Sequence, residues 1–416
     1  MLSKHAYILL ILAGALTARV AFVSIKPVKT IEKDALHYDD IAVNLLNGNG
    51  FSLSDKNLLP GDRTPGGGPR PTARRPILYP LMLSGIYAVF GRNFLAVGII
   101  QAVIGTITCL FIYIISLSAF EERRQALFSA LFSALYLPFI RFTGAVITET
   151  LFLLLIVLSF YFMHRALMER GIGWKIGAGI LAGASFLCRP TAVGLPLIFA
   201  GMLVWRERKL RRKAAAGIAI YSTAFLLLYI PWVARNYYVF DAFVPGFTSS
   251  GYNLFLGSYP PARAKPNIPL EAHPDYLKRR LEGKGEIESN RIFTEAALEN
   301  IRNHPLGYAR LIVVKLVAGW FNIRSDSVWV PTARSAALNG TLILLAIAGA
   351  FWGCKRNRFN TVFILSPIFY FTIFHMLVVS STRYNLPSYP FAIILASLAL
   401  ERFFQRVGFG TRKPQN

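Results

Sequence analysis

The chain has 416 residues, 54% of them hydrophobic, and a formal net charge of +24. A basic surplus of that size raises nucleic acid as a partner, but many of the basic residues sit in short runs between apolar segments: RERKLRRK at 206–213, KRNR at 355–358 and TRK near the end. That is the pattern of positively charged loops on one side of a membrane. It excludes a soluble nucleic-acid binder and indicates an all-α polytopic membrane protein. Cys109, Cys188 and Cys354 lie at no metal-like spacing, so neither a disulfide framework nor a zinc site is indicated.

Taken in chain order, apolar runs near the ~20 residues that cross a bilayer predict spans at 5–25, 94–119, 125–143, 147–165, 174–188, 191–205, 214–234, 335–353, 360–379 and 387–404. The first has Lys4 before an apolar core, as a signal peptide would, but more spans follow and it is read as uncleaved. Ten crossings put both termini inside. Two shorter stretches, 76–90 and 308–322, would place a basic run outside if either crossed, so they are expected in the interface or dipping partway. The expected organisation is one transmembrane unit, 1–416, with a first external loop at 26–76 and a large external loop with an interfacial helix at 236–334.

Acids are more informative than bases, because membrane insertion gives them no preferred place. Of 21, six lie in residues 26–75 and eight in 236–306. The first group follows span one directly, in IEKDALHYDDIAVNLLNGNGFS at 31–52. As a helix it places Asp34 and Tyr38 four apart on one stripe, with Asp34 in the first turn. Helix-dipole electrostatics is a sufficient account of Asp34; chemistry is the competing one. Asp39 and Asp40 are expected on a solvated face.

Further along, Glu149 heads the span from 147 and is bordered by apolar sequence on both sides. An acid at that depth is costly unless it lines a polar cavity, the alternative being a helix cap with Thr148. Arg189 and Pro190 fall between two half-spans of about 15 residues, roughly 23 Å each. Their turn is therefore expected below the surface, at the floor of a cavity, where an arginine needs an anion or a route to water. Arg74, Arg75, Arg235 and Arg383 emerge on the same side and together suggest phosphate recognition. In the second loop, Tyr252, Asn253 and Tyr259 are expected to shape one side of the site.

The order DALHYDDIAVNLLNGNGF, RRPILYP, ITETLF, CRPTA, PWVARNYYVF with GYNLFLGS, and RYNLPSYP resembles the integral-membrane GT-C glycosyltransferases, over about residues 5–400. The nearest branch includes aminoarabinose transferases, rhizobial galacturonosyltransferases and protein O-mannosyltransferases. The resemblance implies a bundle of about 10 to 12 membrane helices and a polyprenyl-phosphate sugar donor. It also implies transfer to a hydroxyl of a lipid, glycan or protein at the outer face of the inner membrane, with inversion. It assigns Asp34 as base, within an Asp-x-x-x-Tyr pattern completed by Tyr38, and puts Glu149 where relatives carry a second acid, as a catalytic group or as one that positions acceptor or sugar. Arg75, Arg189, Arg235 and Arg383 fall to the donor phosphate. Arg75-Pro76 stands where relatives carry Lys-Pro or His-Pro, which keeps a cationic role and removes one needing a labile proton. No obligatory metal is expected, with His37 the one residue near Asp34 that could join a divalent cation.

A lipid or solute transporter is the rival class. Transporters usually carry paired inverted repeats, which this chain lacks, and that reading leaves the acidic first loop unexplained. The transferase reading requires Asp34, Glu149, Arg189 and Arg235 to converge on one cavity.

Overall fold

The computed structural model describes residues 5–407 except 29, 64, 170, 261–272 and 322–331. Parts of the expected second loop thus lie outside the described residues. The helices are α1 (Ala6–Ile25), α2 (Asp34–Leu46), α3 (Leu78–Phe90), α4 (Phe94–Phe120), α5 (Arg123–Leu135), α6 (Leu137–Thr143), α7 (Glu149–Glu169), α8 (Ile172–Cys188) and α9 (Leu195–Arg206). They continue as α10 (Arg211–Phe240), α11 (Ser250–Ser258), α12 (Asp275–Leu281), α13 (Glu286–Asn303), α14 (Pro305–Phe321), α15 (Thr332–Arg356), α16 (Arg358–Leu377) and α17 (Tyr389–Arg406). Six are long and apolar enough to cross a membrane: α1, α4, α7, α10, α15 and α16. The chain is a multi-pass helical membrane protein.

The span read at 125–143 is broken. α5 and α6 meet at 51°, because Pro138 in the first turn of α6 has no N–H to give the carbonyl of Ala134 four residues back. Arg19 of α1, fully buried, supplies the missing donors. Its guanidinium donates to the carbonyls of Ser133 and Ala134, each at 3.3 Å, and to Ala15 at 3.0 Å. α8 and α9 are about 26 and 18 Å long at 1.5 Å per residue, so the turn between them lies inside the bundle as expected.

Neither short apolar stretch is among the helices long and apolar enough to cross a membrane. α3 is about 20 Å long and packs on α2 through Tyr38, Ala42, Tyr79, Leu83 and Ile86. On α14, Tyr308 donates to the carbonyl of Leu377 at the end of α16. Trp320, near the other end of α14, rests on Tyr389 at the start of α17. Both ends of α14 thus meet the same end of the bundle, and the helix lies along it.

Between α2 and α3 a two-residue ribbon, β1 (Ser52–Leu53) against β2 (Arg70–Pro71), closes the first loop. α11, α12 and α13 pack around Phe255, Leu256, Leu277, Ile292 and Ala296 into a cap over the same end. The two loops are bolted together by Glu286, a buried carboxylate at the head of α13. It accepts from Thr72 Oγ1 at 2.7 Å and from the Ala73 N–H at 2.8 Å.

Asp39 and Asp40 are not a solvated face. Asp39 is buried, accepts from the Tyr87 hydroxyl at 2.9 Å and takes three hydrogen bonds from Arg92. Asp40 accepts from the Ser54 N–H and hydroxyl and from Asn57 Nδ2. Both acids anchor the first loop to its neighbours.

Candidate active site

Five segments distant in sequence bring charged residues together at the capped end. Asp34 is the first residue of α2, entered through Lys33 at φ +55°, a left-handed conformation that is strained for a residue other than glycine. Arg75 follows β2. Its segment is fixed by Glu286 and by Arg235, which donates to the carbonyls of Thr72 at 2.8 Å and Phe51 at 2.9 Å. Glu149 opens α7, Arg189 caps the C-terminus of α8, and Arg383 lies between α16 and α17.

The charges form one alternating chain. Arg75 Nη2 donates to Asp34 Oδ1 at 2.7 Å, and Arg383 Nη2 to Asp34 Oδ2 at 3.2 Å. Arg383 Nε donates to Glu149 Oε1, and Arg189 Nη1 reaches the same oxygen at 3.0 Å. Arg383 therefore bridges two carboxylates from different walls. Aromatic faces hold the other guanidiniums: Arg75 lies over Tyr38 at 5.6 Å, and Arg189 over Phe152 at 5.5 Å and Tyr384 at 5.6 Å. Burial would raise the Asp34 carboxyl, but Arg75 and Arg383, aided by Arg189, hold it well below the usual carboxylate range. His37 is driven down to about 3 by burial and by the neighbouring Arg75 and Arg74. It is thus a neutral imidazole whose Nδ1 accepts from Arg75 Nε at 3.2 Å.

Asp34, Tyr38, Arg75, Arg189 and Arg383 line one cavity of about 2040 Å³. Its mouth is walled by Arg74, Ser249, Ser250, Tyr252 and Asn253. From the charged centre it continues as an apolar cleft along α17. Tyr389, Ile393, Ala396 and Leu400 form one stripe there, faced by Phe132 and Leu135 of α5 and by Leu338, Leu342 and Leu345 of α15. Eleven helical steps carry that stripe about 16 Å, half the thickness of a bilayer core.

Two sequence-derived residues fall elsewhere. Arg235 does not line the cavity. Its guanidinium is spent on carbonyls and lies over the rings of Phe51, Trp232 and Phe240, so it is a brace, and of the four residues expected to converge only Asp34 and Arg189 line the cavity. Glu149 is covered by Arg189 and Arg383, its side chain fully buried, which puts it behind the guanidiniums and out of a ligand's reach. Tyr259 stacks on Phe255 within the cap, whereas Tyr252 and Asn253 do face the cavity. Sequence reasoning missed Glu286, whose position at the head of a polar helix was its one signal, and Arg19 and Lys315, buried where apolar sequence surrounds them.

The donor set does not fit a divalent cation. Asp34 gives both oxygens to arginines, His37 Nδ1 is taken by Arg75, and Glu149 Oε1 by two guanidiniums. Among the described residues no three His, Cys, Asp or Glu side chains stand together in a metal-binding group.

Residues 74–234 match the family model for dolichyl-phosphate-mannose-protein mannosyltransferase. No curated protein sequence matches the chain. Among solved structures it is similar to the archaeal oligosaccharyltransferase AglB from Archaeoglobus fulgidus in complex with an inhibitory peptide and a dolichol-phosphate. That match has a TM-score of 0.62 at 16% identity and covers 100% of this chain and 53% of AglB. A second structure of the same enzyme, with Zn and sulfate, aligns with a TM-score of 0.58 at 16% identity over 97% of this chain and 50% of the other. ArnT from Cupriavidus metallidurans bound to undecaprenyl phosphate aligns with a TM-score of 0.47 at 14% identity over 96% of this chain and 79% of that one. The chain spans about half the length of AglB. The likeness to AglB is one of fold, and the GT-C resemblance drawn from the motifs is borne out at that level.

Proposed function

We propose, from the GT-C fold as premise, that the protein is a membrane glycosyltransferase moving a sugar from a polyprenyl-phosphate donor to an acceptor hydroxyl. The observation that carries this reading is the cavity itself: an ionised acid and three arginines stand at the head of an apolar cleft deep enough for an isoprenoid tail. A polar solute would not need the cleft, and a phospholipid transporter would not need Asp34 fixed among arginines. AglB, the similar fold, was solved with a dolichol-phosphate, and the family model matching residues 74–234 is that of a dolichyl-phosphate-mannose transferase.

The residues suit a single in-line displacement. The acceptor oxygen forms a bond to the anomeric carbon while the bond from that carbon to the phosphate oxygen breaks, and its electron pair leaves on the phosphate. Negative charge grows there, and Arg75, Arg189 and Arg383 are preorganised to meet it. Asp34 accepts the hydroxyl proton. In the unliganded protein its arginines make it a weak base, so the donor has a second effect. A phosphate that engages Arg75 and Arg383 loosens their hold on Asp34 and raises its proton affinity where the acceptor arrives. Glu149 acts at one remove, holding Arg189 and Arg383 in place and offsetting their charge, so that three arginines do not bind the product phosphate irreversibly. One displacement inverts the anomeric centre.

The basic runs 206–213 and 355–358 lie at the end of the bundle opposite the cavity, joining α9 to α10 and α15 to α16. By the positive-inside rule the site then faces the extracytoplasmic side. The test is binding and turnover in lipid nanodiscs. Labelled polyprenyl phosphate should bind, and one member of a panel of polyprenyl-phosphate sugars should lose its sugar to an acceptor. A protein that binds none of them is not this enzyme.

A further inference from the structure

Lys315, in the middle of α14, is fully buried. It has no acidic partner among the described residues; its ammonium donates to three carbonyls instead, Gly257 at 2.9 Å and Leu377 and Val378 at 3.3 Å each. It also lies over the Tyr308 ring at 4.7 Å. Burying a lysine this way is costly, and what it joins gives the reason. Gly257 is near the C-terminal end of α11, whose first residues Ser250, Tyr252 and Asn253 line the cavity mouth. Leu377 and Val378 end α16 and begin the loop that carries Arg383.

The two elements are close-packed around that ammonium. A Cβ on Gly257 would lie 1.4 Å from the Val378 carbonyl oxygen. Val379 belongs to the buried core of the cap, with Phe255 and Leu256. His375 holds the loop from beneath, facing the Val379 carbonyl at 3.1 Å and stacking on Tyr384 beside Arg383. A displacement of α11 at the cavity mouth therefore cannot leave the Arg383 loop where it is. We infer that Lys315 is a positioning residue that ties the cap to the Arg383 loop, so that whatever occupies the mouth and whatever occupies the phosphate centre are coupled. The inference rests on the transferase reading for the identity of those occupants. The coupling is reciprocal: each ligand tightens or loosens the other's wall by the same factor.

The experiment is hydrogen exchange on the full-length protein in nanodiscs, with and without sugar-free polyprenyl phosphate, on wild type, Lys315→Met and Gly257→Ala. In Lys315→Met, exchange in residues 250–258 and 378–384 should speed up together, and the Kd for polyprenyl phosphate should rise about tenfold or more, as for loss of hydrogen bonds from a charged donor. Gly257→Ala, which forces the same two elements apart and leaves the lysine intact, should reproduce both effects. Faster exchange in one segment alone, or an unchanged Kd in both variants, would overturn the inference. If neither variant folds, wild type decides: bound polyprenyl phosphate must protect both segments, and protection of 378–384 alone sinks the coupling. Should polyprenyl phosphate not bind wild type at all, the transferase reading fails, and paired exchange in the variants still decides whether Lys315 ties the two walls.

Discussion

Arg383 and Asp34, 349 positions apart, meet at 3.2 Å across the floor of the cavity, and Arg383 reaches on to Glu149 with its Nε. A planar guanidinium meets two carboxylates from separate, fixed nitrogens, where an ammonium offers one point charge. Arg383→Lys should therefore fail almost as badly as Arg383→Gln, each losing about 100-fold or more in kcat, the scale for removing one oxyanion-stabilising donor. Turnover near wild type in the lysine variant would show that charge alone suffices and that the bridge is incidental.

Glu149 should behave unlike Asp34. Glu149→Ala takes the carboxylate from the buried Arg189 and one of two from Arg383; breaking a buried pair typically costs about 3–5 kcal/mol, and thermal unfolding in detergent should register it. Glu149→Gln keeps the shape and drops the charge. It should bind sugar-free polyprenyl phosphate more tightly than wild type and turn over more slowly, because the freed arginines retain the product. Weaker binding in Glu149→Gln would place the carboxylate in contact with ligand, contrary to its burial.

Asp39→Asn and Arg235→Met test the residues that resemble site members without being so. Asp39 is tied to Arg92 and Tyr87, and Arg235 to backbone carbonyls. Each variant should unfold at a lower temperature, with stability down by about 1–3 kcal/mol for hydrogen bonds to a charged group, and should keep the Kd for polyprenyl phosphate. A Kd shift of tenfold in Arg235→Met would return that arginine to the phosphate site.

The pH dependence has a definite sign. The Asp34 carboxyl is lowered on folding, so the stability it contributes is present above the ordinary carboxylate range and is lost only as pH falls below it. His37, lowered to about 3, protonates in the unfolded chain from about pH 6.5 downward and stays neutral in the fold. Stability therefore falls as pH drops from about 6.5 towards 3, the unfolded state binding the extra proton. In His37→Asn this contribution is gone. Unfolding followed from pH 7 to 5 should show the variant losing less stability than wild type; an identical loss would mean that His37 is charged in the fold.

Much of the architecture was legible because a membrane forces it. Apolar length alone located the helices from α1 to α17 that build the bundle, and the side with the fewest basic runs located the cavity. The unusual shortness of the segments flanking Arg189 announced a turn inside the bundle. What could not be read was partnership. Asp34, Asp39 and Asp40 share one acidic stretch, and the approach of Arg75, Arg92 and Ser54 from elsewhere sets the first in the cavity wall and makes the other two anchors. Arg235 emerges on the right side of the membrane, yet its guanidinium is drawn to carbonyls two loops away. Lys315 and Arg19 sit in apolar helices that hydropathy reads as ordinary, because most of the carbonyls that receive them belong to other elements.

The measurement that bears most directly on the central claim is sugar transfer by wild type, Asp34→Asn and Asp39→Asn in nanodiscs, with a panel of labelled polyprenyl-phosphate sugars and a membrane extract as acceptor. The account predicts transfer from one donor by wild type, comparable transfer by Asp39→Asn once matched for folded protein, and a loss in Asp34→Asn of about 100-fold or more, the scale of general-base catalysis. Equal transfer by Asp34→Asn and wild type would contradict it.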